Sequence, residues 1–172
     1  MEVPEKLINF RVYENGGDQV GVADVTLPKL SSMTETVKGA GIAGEVDSPV
    51  LGHFKSLEVE LNWRTLEKTN LNMTAHTGLH LDLRGAQQVY DSGTGKYVVR
   101  PVKCVIAGVT KETDMGKFDV GQTTGTKTTV EAAYIKVDVD GENVLEIDKF
   151  NYICKVGGTD WLAAVRSALG IG

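Results

Sequence analysis

Residues 56–64 read SLEVELNWR, and their side chains sort onto two faces without exception. In an extended chain Leu57, Val59, Leu61 and Trp63 point one way and Glu58, Glu60, Asn62 and Arg64 the other. A strand written like this is half buried: one face packs on a core, and the wet face carries two acids before its single base. The alternation recurs at Leu79, Leu81 and Leu83 against His80, Asp82 and Arg84, and at Ile135, Val137 and Val139 against Lys136, Asp138 and Asp140. Antiparallel sheets with one solvated face are the expectation.

A chain of 172 residues is long enough to bury roughly two thirds of its unfolded surface, and one domain spanning residues 1–172 is expected. The 20 glycines point to many turns rather than long helices. A net charge of -5 with no basic run argues against a general binder of DNA or of anionic membranes, since both need clustered Lys and Arg. Cys104 and Cys154 are the only cysteines and stand on separate strand-like segments, which fits reduced, packed thiols better than a disulfide framework. The start, MEVPEKLINF, lacks the basic and apolar regions of a signal peptide, and no apolar run approaches the ~18 residues that span a bilayer. Folding in the cytoplasm without membrane anchoring is expected.

Along the chain, residues 7–13 and 19–27 read as a hairpin turned at Asn15-Gly16, and residues 30–37 as a strand after the bend at Pro28. Residues 38–55, KGAGIAGEVDSPVLGHFK, lose all periodicity; eighteen residues of irregular chain exceed the usual ~12 to 15 and call for a functional loop or one held by a neighbour. A short helix is predicted within 65–74, where Leu66, Asn70 and Met73 have helical spacing. Strands follow at 79–90, and at 97–113 and 127–139 around a Gly- and Thr-rich tip; Asp140-Gly141 turns into a strand over 144–156. A C-terminal helix is predicted with Thr159 as cap and Trp161, Leu162, Val165 and Leu169 as its apolar stripe.

Residues 39–44 are a literal G-x-G-x-x-G, but neither a buried strand before them nor a helix after them supports a dinucleotide site, and Pro49 stands where that helix should continue. Here the glycines let one backbone approach another closely, within or between subunits. The histidines, His53, His76 and His80, do not share a helical face, so no metal and no cofactor is expected. No G-x-S-x-G elbow and no cysteine with a base nearby in sequence suggests covalent catalysis. A solvated sheet face accounts for Glu58 and Glu60 without acid–base chemistry.

In order, VYENG, VTLPKL, KGAGIAGEVDSPVLGHFKSLEVELNW and the closing YIKVDVDGENVLEIDKFNYICKVGGTDWL resemble the major tail tube proteins of P2-type contractile-tailed bacteriophages, a family shared with R-type bacteriocins. The resemblance implies a mainly β, antiparallel two-sheet sandwich or barrel with a flanking short helix and a C-terminal helix. It implies no catalysis: homo-hexameric rings would stack into a tube inside a contractile sheath, with tape measure and baseplate or spike proteins as further partners, in a virion tail or tailocin built in the bacterial host cytoplasm. Long hairpins, residues 19–37 with 56–64 and 97–113 with 127–139, would join their copies in neighbouring subunits and remove exposed strand edges. Glu58, Glu60 and Asp138 are lumen-facing candidates, past which DNA would slide without specific binding. The 38–55 loop, with Gly39, Gly41, Gly44, Pro49 and Phe54, would reach a neighbouring subunit or ring. A type VI secretion tube subunit is the nearest alternative; a small-ligand-binding β-barrel protein or enzyme is the rival from another class.

Overall fold

The computed structural model describes residues 1–172, the side chains of Asp18, Gln19 and Val20 excepted. Its strands are β1 (Glu2–Glu14), β2 (Asp18–Val20), β3 (Asp24–Thr26), β4 (Ser32–Lys38), β5 (Glu45–Phe54) and β6 (Leu57–Asn62). After the short helix α1 (Lys68–Asn72) come β7 (Leu79–Asp91), β8 (Lys96–Asp114), β9 (Lys127–Val139), β10 (Glu142–Asp148), β11 (Ile153–Val156) and β12 (Thr159–Asp160), and helix α2 (Ala163–Leu169) ends the chain.

All pairings are antiparallel, and one path runs β12-β11-β10-β9-β8-β7-β1-β2. Strand β9 is the branch point. Its first half pairs with β6, from Asn62 opposite Lys127 to Leu57 opposite Ala132; its second half pairs with β10, from Asp148 opposite Tyr134 to Glu142 opposite Val139. Between the halves the pairing with β8 skips Ala133. A skipped residue inverts the side-chain phase. Thr128, Val130 and Ala132 therefore face the interior before the skip and Ile135 after it. At this bulge β8 carries Gly108, where a Cβ would stand 2.0 Å from the Glu131 carbonyl oxygen, so only glycine lets the backbones come this close.

The apolar face of β6 is fully used: Leu57, Val59 and Leu61 are 0% exposed and Trp63 3%. They pack with Val12, Leu81, Ile106, Val130, Ile135, Ile147 and Leu162 in one core cluster. Burying each large side chain contributes about 1.5–3 kcal/mol, and inside the cluster Trp63 Nε1 donates to Thr128 Oγ1 at 3.0 Å. Residues from β1 and from β6 through β11 share this core, so the sheet curls around it; among the described residues its outermost strands, β2 and β12, do not pair with each other, and the barrel is not closed.

Four expectations are corrected. The partner of β1 is not a continuous strand over 19–27: β2 pairs with β1, while β3 crosses to pair with β6. Consequently the expected 19–37/56–64 hairpin is reduced to the three β3–β6 pairs, and β4 pairs instead with β5. The 144–156 strand is two strands broken at 149–152, where Asp148 accepts hydrogen bonds from the Asn151 backbone and side chain and Tyr152 adopts φ 52°. Helix α2 begins later than Thr159, which lies in β12 opposite Val156; its N-cap is Leu162, and of the expected stripe Leu162 is buried and Val165 half-buried, whereas Trp161 and Leu169 are exposed. Asp160 holds this end from outside, accepting from the Leu162 N–H at 3.2 Å and pairing with Arg166 at 2.6 Å.

Candidate assembly surfaces

The wet face of β6 continues across β9 and β8. Strand pairing sets Glu58 beside Glu131 and Glu60 beside Thr129, and the skip at Ala133 brings Asp138 onto the same face. A second irregularity, between Thr110 and Glu112 of β8, leaves Lys111 out of the ladder. Its ammonium bonds to Glu58 and, at 3.1 Å, to Glu131, and the Ser56 hydroxyl donates to both Glu131 oxygens at 2.7 and 2.6 Å. Hydrogen bonds to Glu58 and Glu131 hold the Lys111 pKa above its ordinary value. For Glu131, partial burial pushes upward, yet the bonds from Ser56 and Lys111 prevail and its pKa is lowered. Glu60 lies 3.6 Å from Lys127, and Asp138 4.0 Å from Lys136 while accepting from Asn143 at 3.1 Å. All three sequence-predicted acids thus share one face, and each is matched by a lysine. The alternation of β6 shows its acids but not these partners, which come from β8 and β9, Lys111 by way of a bulge.

The expected 38–55 loop is corrected to a hairpin arm. Strands β4 and β5 form a separate two-stranded sheet, with Lys38 opposite Glu45, Thr34 opposite Pro49 and Ser32 opposite Phe54. Pro49 is tolerated because a two-stranded sheet gives each strand a free edge. The turn, residues 39–44, contains Gly39, Gly41 and Gly44 at φ +125°, +90° and +120°. A Cβ on any of them would meet nothing within 4 Å, so backbone dihedrals, not close approach within the subunit, require glycine there. Met33, Val37, Ile42, Val46, Val50 and Leu51 of the arm are all exposed.

At its base the arm is anchored. Gly52, at φ +63°, backs onto the Leu162 side chain, which a Cβ would approach to 2.7 Å. Lys149 Nζ donates to the Lys55 carbonyl at 3.0 Å, and the Lys55 N–H to the Ser31 carbonyl at 2.8 Å.

A third surface is the far end of β1, β7 and β8. There β2 covers β1 only from Val12 to Glu14, leaving residues 2–11 as an open edge among the described pairings; β8 pairs with β9 only from Val102 onward, with the Pro101 carbonyl accepting from the Asp140 N–H at 2.8 Å, leaving residues 96–100 open on the other side. Leu7, Ile8, Tyr97, Val98 and Val99 are exposed on this three-stranded extension.

Among the described residues, the histidines and cysteines do not converge with each other or with the Lys111–Glu58–Glu131–Ser56 cluster. His53 Nδ1 lies 2.7 Å from the Leu51 carbonyl, and the His80 backbone N–H donates to Asn15. Among the described residues no group of three His, Cys, Asp or Glu side chains is placed to hold a metal ion. Cys104 and Cys154 are buried and unpaired; burial pushes the Cys104 thiol up to about 11 and raises that of Cys154. Neither is activated as a nucleophile.

Residues 4–170 match the family model described as Phage tail tube protein FII. The tail tube protein of Escherichia phage P2 is 34% identical, over 99% of this chain and 100% of that protein. The major tail tube protein of Serratia phage KSP20 is 28% identical, over 100% of this chain and 99% of its own length. In fold, the chain is similar to the sheath/tube terminator of the extracellular contractile injection system PVC, solved by cryo-electron microscopy in the extended state, with a TM-score of 0.50 at 12% identity over 76% of this chain and 94% of that one.

Proposed function

Because this chain belongs to the phage tail tube protein FII family and is a structural, non-enzymatic component of the virion tail, we propose that it builds its tube from hexameric rings stacked within the sheath. The arm carries this reading. Beyond its base, where Phe54 packs against the core, it has no buried residue yet exposes six large apolar ones, an arrangement that finds its burial in another chain. The open edges of β1 and β8 lie on opposite sides of one three-stranded extension, so head-to-tail contact between copies satisfies both and a ring leaves none exposed. Gly39, Gly41, Gly44, Pro49 and Phe54 then belong to a contact with the neighbouring subunit or the next ring. Tape measure and baseplate proteins are the partners expected at the tube's interior and end.

The wet face of β6 and β9 lines the lumen in this reading, with Glu58, Glu60 and Asp138 toward the channel. Its acids are offset by Lys111, Lys127 and Lys136. Passing DNA meets mixed charge, without the run of unpaired cations that holds phosphates. Replacing Glu58 and Glu60 with Lys should leave rings intact and retard DNA passage from assembled particles. Unchanged ejection, or a tube structure with both carboxylates on the sheath side, overturns the lumen assignment. Negative-stain microscopy of the purified chain tests assembly itself: rings and tubes are expected at high concentration, and a strictly monomeric protein that stays so when its partners are added refutes the proposal.

A further inference from the structure

The tip between β8 and β9, residues 115–126, is an ordered loop with an unusual display. It is closed by Lys117 N–H to the Thr124 carbonyl at 2.9 Å and Gln122 N–H to the Asp119 carbonyl at 3.1 Å. Thr124 N–H binds the Arg64 carbonyl at 2.9 Å, and the buried Thr126 hydroxyl donates to the Met115 carbonyl at 3.0 Å. At Gly116 a Cβ would stand 1.9 Å from the Thr124 carbonyl oxygen, so the two limbs of the loop touch through backbone. From this fixed frame Phe118 is 88% exposed and Val120 99%. Apolar side chains held rigidly in water, with little ordering left to do on binding, are the makings of an interface anchor.

The same chain carries a receptor. An apolar groove of about 490 Å³ is walled by Leu7 and Leu27, floored by Phe10, Val25, Leu83 and Cys104, and rimmed by Asp24 and Arg84. Leu83 and Cys104 lie almost wholly buried at its bottom, while Leu7 and Leu27 stand half exposed at its mouth. Phe118 stands between Lys117 and Asp119, 4.0 Å apart, and the groove rim carries one acid and one base, each with a partner of its own: Asp24 accepts from Asn62 Nδ2 at 2.5 Å and Arg84 pairs with Asp82 at 3.0 Å. Cys104 and Asp114 are ten residues apart on β8, about 33 Å at the rise of a strand, so groove and knob lie toward different ends of the molecule. A knob and a hole at separate places on one chain permit a heterologous contact that repeats from subunit to subunit, the form that a stack of copies needs.

We propose that Phe118 and Val120 of one copy dock into the Leu7–Leu27 groove of the next, with Lys117 toward Asp24 and Asp119 toward Arg84. The occupant is a second copy of this chain, and the inference deepens the tube reading on which it rests. Phe118→Asp should raise the protein concentration needed for assembly at least about tenfold, as loss of an interface anchor does, with circular dichroism and thermal midpoint unchanged because the side chain touches no core. In a mixture of the single variants Val120→Cys and Leu27→Cys, a short bismaleimide should yield a heterodimer absent from either variant alone and from the unsubstituted chain. Normal assembly of Phe118→Asp overturns the proposal. Normal assembly is the result expected if the knob seats on the sheath instead; failed assembly without knob-to-groove cross-linking overturns the proposal too, by placing the knob in another contact. A cross-link in protein that never forms tubes would keep the contact and discard the ring-and-stack reading; absence of both cross-link and tubes discards both.

Discussion

Strands β6 and β5 are separated by two residues and could hardly differ more. In β6 every second side chain is buried, and the strand is pinned between β3 and β9. In β5 no residue is buried, a proline sits mid-strand, and the only pairing is with β4. The contrast shows that alternation records one-sided burial rather than extended conformation. A strand whose apolar side chains await another molecule has no face to encode inside its own chain, and it reads as a loop.

That contrast breaks most sharply in the core. Leu61→Ala should destabilise the subunit by about 2–5 kcal/mol, seen as a lower urea midpoint with unchanged slope. A smaller loss would mean that β6 is less essential than its burial implies. Next comes Gly108→Ala, which forces a methyl against the Glu131 carbonyl; a loss of about 1–3 kcal/mol is expected by the same measurement. Full stability there would show that β8 and β9 can separate at the bulge without cost.

In the arm the effect should be local. Gly41→Val places a branched residue at φ +90°, with about 1–2 kcal/mol of strain confined to a turn outside the core. The thermal midpoint should fall by no more than a few degrees while tube formation fails in sedimentation. Cooperative unfolding at a clearly lower temperature, with tubes still forming once folded, would place the arm with the subunit rather than with assembly.

The smallest effect belongs to Asp160 at the start of α2. The hydrogen bond from Arg166, chiefly, holds its pKa below the ordinary 3.8. A lowered carboxylate adds stability present above 3.8 and lost as pH falls through its folded value. Asp160→Asn should therefore lower stability by a small, constant amount above about pH 3.8 and approach the unsubstituted protein as pH falls below it; an equal loss at all pH values would show that hydrogen bonding, not charge, matters there.

Much of the fold was legible wherever burial was one-sided. The wet and dry faces of β6 and β7, the β8–β9 hairpin and the Asp140-Gly141 turn, whose residues adopt φ 54° and 80°, follow from local pattern and turn chemistry. The β10–β11 break was not legible, because its turn is made by Asp148 and Asn151 without a glycine or proline signal. Gly52 gave no sign either: its neighbour Leu162 lies 110 positions away in the chain. The glycines of residues 39–44 were visible; within the subunit they serve left-handed dihedrals rather than a close backbone approach.

By itself the amino-acid sequence determined which residues share a strand face, where most turns fall, and the likeness to tail tube proteins that full-length similarity bears out. Those properties depend on near neighbours and on the order of segments along the chain. Only the tertiary structure decided that β9 forks between β6 and β10, that the bulge at Ala133 brings Asp138 onto the face of Glu58, that lysines from β8 and β9 offset the acids, and that the aperiodic stretch before β6 is a paired arm. Each is a matter of register between segments distant in sequence. Register is set by backbone pairing and shared burial, which no window of neighbouring residues contains.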